Sequence, residues 1–171
     1  LEEAGVAMAA VRNNMSLASD MSIDMQKSFA KTALRLEALG VSMEDSTQIL
    51  DDLTKGFGMA SQEAQHAATS LYGMAVAIGV PTSVVAENFK KAAPELAKYG
   101  TTGIKVFEKL TAAAKATGVE MGTLLNIAKG FDTFQDAANK VGQLNAMLGG
   151  PYLNSIEMLN ADESERIRLL I

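Results

Sequence analysis

Three short stretches decide how this chain is read: Ala38-Leu39-Gly40-Val41-Ser42-Met43-Glu44-Asp45, Ala77-Ile78-Gly79-Val80-Pro81-Thr82-Ser83, and Ala116-Thr117-Gly118-Val119-Glu120-Met121. The Gly-Val pairs Gly40-Val41, Gly79-Val80 and Gly118-Val119 lie 39 residues apart. Each follows an apolar run and precedes a helix-start signal. Gly is suited to the left-handed residue that ends a helix. Ser42 with Glu44 and Asp45, and Pro81 with Thr82 and Ser83, are N-terminal signatures. The period predicts a unit of helix, tight turn and helix, repeated along the chain. Phe29, Ala68, Phe107 and Ala146 share one register of it, and Leu50, Phe89 and Ala128 another. Lys55-Gly56-Phe57 returns as Lys129-Gly130-Phe131, about one helical turn short of two periods.

Outside these turns the spacing predicts helices near 42–56, 60–78, 82–98, 102–117, 120–130, 134–148 and 153–171. Pro94 should kink or end the helix that contains it. Gly149-Gly150-Pro151 is the strongest breaker. Asn160, Asp162 and Glu163 form a restart signal, with Asp162 and Arg166 one turn apart.

Upstream of the first turn, residues 1–39 hold one Gly and no Pro. Leu1, Met8, Met15, Ser22, Phe29 and Leu36 are seven apart, as are Ala4, Val11, Ala18, Met25, Thr32 and Leu39. The pattern predicts one long amphipathic helix of about 58 Å. It reads either as a bundle helix or as a self-associating coiled coil, with Met8, Val11, Met15, Ala18, Met25, Phe29 and Leu36 as the seam. The expected fold is therefore all-α: a long N-terminal helix over 1–39, a helical-hairpin repeat module over 40–150, and a C-terminal helix over 151–171. The chain begins at Leu1 and stops within an apparent helix, so it reads as a segment of a longer protein.

Composition agrees with helix. Of 171 residues, 48% are hydrophobic and 5% aromatic, with 10 Met, 3 Pro and neither Cys nor Trp. That excludes disulfide scaffolds and cysteine-ligated metal. The net charge of −5 lies wholly in the first half. No basic patch interleaved with aromatics points to dedicated nucleic-acid binding. Ala64 to Ala86 carries no Asp, Glu, Lys or Arg, but its Gln65, His66, Gly73, Gly79 and Pro81 make a membrane span a poor reading.

Little in the sequence supports chemistry. His66 is the single histidine and reads as a solvated side chain. Asp51-Asp52 and Glu44-Asp45 lack calcium-loop spacing and read as helix-surface and N-terminal charges. Gly100-Thr101-Thr102-Gly103-Ile104-Lys105 lacks the phosphate-loop pattern. No catalytic, cofactor or metal residues are assigned, and the chain reads as a non-enzyme. Lysines over 90–140 give a mild positive excess, and Lys98, Lys105 and Lys109 are candidates for electrostatic contact with an acidic partner.

Three features resemble the tail tape measure proteins of contractile-tailed, marine-type bacteriophages. They are the recurrent turn at Leu39–Asp45 and Thr117–Met121; Phe131-Asp132-Thr133-Phe134-Gln135-Asp136-Ala137-Ala138; and Val141-Gly142-Gln143-Leu144-Asn145-Ala146-Met147-Leu148-Gly149-Gly150-Pro151-Tyr152-Leu153-Asn154. The resemblance covers mainly residues 33–171. It implies a structural virion protein in the tail tube lumen or at the baseplate hub, assembled in the host cytoplasm, that helps set tail length and organise tail assembly. It implies tail tube and hub proteins as partners, several copies of itself (three is the usual expectation), and transient proximity to DNA. It carries no catalytic residues onto this chain. Two other readings stand beside it: a generic helical-repeat interaction module, and a membrane-active helical protein.

Overall fold

In the computed structural model, which describes residues 2–129 and 134–170, the heptad-patterned N-terminus is not one helix. Helix α1 (Glu2–Asn14) ends, a single 3-10 turn follows at Ala18–Asp20, and α2 begins at Ile23 and runs to Ala38. Ser22, with Thr32 one of the two polar departures in the heptad, is the N-cap of α2, and its Oγ accepts a hydrogen bond from Met25 N at 3.2 Å. The helix expected over 1–39 is thus corrected to an antiparallel pair. Two causes act together. Asn14, Ser16, Ser19, Asp20 and Ser22 carry short polar side chains that compete with helical backbone bonding. Side chains from elsewhere then hold the reversed chain. Asp51 Oδ1 accepts from Ser16 N at 2.8 Å and Ser16 Oγ at 2.9 Å. Asn14 Nδ2 donates to Thr47 Oγ1 at 2.9 Å. Gln26 Nε2 donates to the carbonyls of Ala18 and Met21, while its Oε1 accepts from Arg12 Nε.

The Gly-Val pairs end helices. Gly40, Gly79 and Gly118 have φ of 89°, 69° and 71°, where a Cβ would be strained. After α2, Val41 N donates to Leu36 O at 3.1 Å; after α4 (Ser61–Ala77), Val80 N donates to Ala75 O at 2.9 Å. These are the six-to-one bonds of a helix closed by a left-handed residue. Helix α3 (Met43–Asp51) starts under a Ser42 cap, as the sequence predicts, and α5 (Thr82–Leu96) starts after Pro81. Thr82 Oγ1 donates to Leu39 O at 2.6 Å, tying the second turn to the first. Helix α6 (Gly103–Thr117) closes at Gly118, and α7 (Met121–Lys129) follows. Pro94 lies inside α5, which ends two residues later in a 3-10 stretch, Ala97–Thr102.

Contacts divide the chain into two compact units, Leu1–Ile104 and Lys105–Ile171. The first buries Phe29, Leu36, Ile49, Leu50, Leu71, Tyr72 and Phe89 completely. The second contains α8 (Phe134–Leu148), α9 (Ser155–Asn160) and α10 (Glu163–Leu170). Ala137, Val141 and Met158 form a core cluster there, with Leu153, Leu159, Leu169 and Leu170 packed on it. The helix expected over 153–171 is therefore two helices. Arg166, buried, donates from Nε to Met158 O at 2.7 Å and from Nη2 to Leu159 O at 3.1 Å, satisfying carbonyls at the end of α9. All described regular structure is helical. The Gly130-Phe131 turn and the Phe131-Asp132-Thr133 part of the second motif lie outside the described residues.

Candidate functional site

A concavity with polar groups lies where α3 runs into a wider turn. Residues Asp52–Gly56 form a single π-helical stretch. Thr54 Oγ1 donates to Leu50 O at 2.9 Å and Asp51 O at 3.0 Å, competing with the backbone ladder that would continue α3. Phe57 N then reaches back five residues to Asp52 O. Such one-turn bulges recur at functional sites. This one turns Phe57 inward, where it stacks on Phe89 of α5 with ring centroids 5.7 Å apart. Gly103 closes over the same ring: a Cβ there would stand 2.7 Å from Phe57 Cε1 and 2.5 Å from Leu96 O.

Between the π-helical turn and α5 an open cleft of about 350 Å³ remains, lined by Gln48, Asp52, Gly56, Phe57, Lys90, Ala93, Pro94 and Ala97. Phe57, Ala93, Pro94 and Ala97 give it apolar walls. Burial pushes the Asp52 carboxyl above the usual carboxylate range, although Gln48 Nε2 donates to its Oδ1 at 3.1 Å. Lys90 forms an ion pair with Asp45 on α3. That hydrogen bond holds Asp45 below the usual range and raises Lys90. The cleft thus offers an apolar surface, a desolvated carboxyl and an ammonium. These suit the binding of a short polar-apolar segment. No group of three His, Cys, Asp or Glu side chains among the described residues could hold a metal.

The residues singled out in the sequence fall in different places. Val11, Met15, Ala18, Phe29 and Leu36 are buried inside the first unit, with Met8 partly buried and Met25 38% exposed. Five of the seven seam residues thus belong to the chain's own core, while Met8 and Met25 keep part of their surface. Asp51, read as a surface charge, is 8% exposed and caps the turn after α1. His66 is exposed. Lys98 is exposed with its ammonium 4.9 Å from the Tyr99 ring centroid. Lys105 and Lys109 are exposed one turn apart on α6. The Ala64–Ala86 stretch is divided between α4, the Gly79 turn and α5, and no helix among the described residues is long and apolar enough to cross a membrane.

The cleft was not foreseen from sequence. Its one signal is Lys55-Gly56-Phe57-Gly58, a Gly pair around an aromatic, which marks a break without revealing a π-helical turn.

The motif Asn145 to Asn154 has a clear local role. Asn145 pairs through both side-chain atoms with Leu153: Nδ2 donates to Leu153 O at 3.0 Å, and Oδ1 accepts from Leu153 N at 2.8 Å. Gly149 has φ of 79°, and Gly150 N donates to Asn145 O. Asn154 Oδ1 then caps α9 through Ile156 N at 2.9 Å. Compared with known protein families, curated proteins and solved structures, the chain matches none of them.

Proposed function

We propose that this chain is a folded segment of a phage tail tape measure protein, a structural component that docks in the tail tube lumen or at the baseplate hub. In that role it helps set tail length and organise tail assembly, and it performs no catalytic step. The observation that carries the reading is the period of the turns. Gly40, Gly79 and Gly118 all have positive φ, and α3, α5 and α7 each begin three residues after one of them. We take the 39-residue spacing as a structural repeat of helix, Gly-Val turn and helix. The Asn145–Asn154 staple supports the same reading, because it gives the residues that carry the resemblance a definite architectural task.

The expected neighbours are the tail tube protein, hub proteins and further copies of the chain. Exposed Lys98, Lys105 and Lys109 supply weak, long-range attraction to an acidic lumen. A second reading, a helical interaction module outside any virion, is favoured by the cleft beside Asp52–Gly56, which suits a partner's segment.

Deleting Gly79–Thr117 in frame, in a phage carrying this gene, tests the proposal by electron microscopy of tails. A folded docking module predicts loss of assembled tails. Shortening by about 58 Å, at 1.5 Å per residue, would mean that the region is an extended ruler. Normal tails in normal number would remove the tail reading altogether.

A further inference from the structure

The cleft between the π-helical turn and α5 holds more open acceptors than donors. Its donor side chains are engaged inside the protein: Gln48 Nε2 donates to Asp52 Oδ1, and the Lys90 ammonium pairs with Asp45. Gln48 Oε1 and the second carboxylate oxygen of Asp52, Oδ2, accept nothing among the described residues. Pro94 adds a third acceptor. It sits inside α5 and has no N–H to give to the carbonyl of Lys90, four residues back. Lys90 and Pro94 both line the cleft, so that carbonyl borders it.

The charge around these acceptors is negative. Asp51, next to Asp52, adds to the negative potential at the Asp52 carboxyl. Lys90 is the one cation among the described lining residues, and Asp45, Glu44 and Glu87 all act on it. Lys91, the residue after it, pairs with Glu87. Phe57, Ala93, Pro94 and Ala97 give the apolar walls. A Cβ at Gly56 would have nothing within 4 Å, so the approach on that side is open.

From the surplus of acceptors, the negative charge and the apolar walls we infer that the cleft takes a lysine side chain of a partner polypeptide. The N–H donors of its ammonium match in number Asp52 Oδ2, Gln48 Oε1 and Lys90 O, and its alkyl stem lies along Phe57 and Pro94. The same count favours the compact ammonium over the larger planar fork of arginine. A carboxylate or phosphate is disfavoured, because its lone pairs would face lone pairs. This inference rests on the reading of the chain as an interaction module and names what the partner's segment presents.

The test is a nitrogen–proton NMR titration of the 171-residue chain with the blocked peptide acetyl-leucyl-lysyl-leucine amide. The amides of Asp52, Phe57, Ala93 and Ala97 should shift saturably, with Kd about 1 mM. The same peptide with norleucine in place of lysine keeps the stem without the charge and should bind at least about tenfold more weakly. D52N should weaken the lysine peptide at least about fivefold. P94A, which restores a donor to Lys90 O, should weaken it at least about twofold. Both variants should keep the wild-type circular dichroism spectrum, since Asn preserves the shape of Asp and Ala favours helix. Equal binding of the lysine and norleucine peptides would overturn the inference and leave a cleft that binds segments by shape. No saturable shift with either peptide up to about 10 mM would remove the inference and the interaction-module reading together. n-Butylammonium binding as tightly as the lysine peptide would assign the cleft to a free amine and overturn the partner, as would either variant binding like wild type. These outcomes leave the tail assay untouched.

Discussion

The chain reverses direction after α1 and again after α8, and it does so by opposite means. Around residues 15–22 the turn is held by side chains distant in sequence: Asp51 and Thr47 on α3, and Gln26 inside α2. Around residues 149–154 it is held by neighbours, with Asn145 clasping Leu153 eight residues on and Asn154 capping the next helix. The first reversal also rests on large, fully buried side chains such as Phe29 and Leu36. The second packs against the small cluster of Ala137, Val141 and Met158. A turn fastened over distance should fail with the tertiary structure that supplies its fasteners. A turn fastened locally should fail alone.

The largest expected effect comes from removing the first reversal's core. Phe29→Ala should cost about 3–5 kcal/mol and bring down the whole Leu1–Ile104 unit, since Phe29 is fully buried. Urea unfolding followed by circular dichroism, with hydrogen exchange to locate the loss, measures this. Loss of protection confined to α2 would break the comparison.

Next in size is Asp51→Ala. It removes the charged acceptor of the Ser16 amide and hydroxyl at a part-buried site and should cost about 1–3 kcal/mol. Exchange should rise at Ser16 and through α1 and α3 together. Asn145→Ala removes two hydrogen bonds at a partly buried site and should cost about 1–2 kcal/mol. Its exchange signature should stay within residues 149–156, and spread into the first unit would contradict the local account.

The smallest effects concern the cleft and depend on pH. Asp45 is held below the usual range by its bond to Lys90, so its contribution is present above that range and is lost as pH falls through the lowered value. Asp45→Asn should therefore cost under about 1 kcal/mol near neutrality, the pair being partly solvated, and nothing in strong acid. Asp52 is shifted the other way by burial. Its charged form opposes folding at neutral pH, and the opposition fades as pH falls through the raised value. Asp52→Asn should accordingly stabilise the protein at neutral pH and lose that advantage in acid. Paired melts of the two variants between pH 3 and pH 7, on the order of the carboxylate range and above, should diverge in opposite senses.

Local chemistry made much of this readable in advance. Gly40, Gly79 and Gly118 were legible as helix ends because a left-handed residue costs least in glycine, and Ser42 as a cap because its side chain bonds the first turn. Pro94 signalled the end of α5, since proline removes a backbone donor. The N-terminal hairpin was not readable. A heptad repeat marks apolar faces equally well for one long helix and for two that fold back on each other, because both bury the same positions. The short polar residues between Asn14 and Ser22 are a weak signal against five heptads.

What the sequence alone determined, then, is helical class and the position of most breaks, because capping and φ preferences act within a few residues. Which breaks become reversals, and that Asp51 is an internal cap rather than a surface charge, were decided by tertiary structure. Those outcomes depend on hydrogen-bond partners up to 35 residues apart. Such a partner leaves no periodic trace, since its value arises only once packing has removed water from both groups.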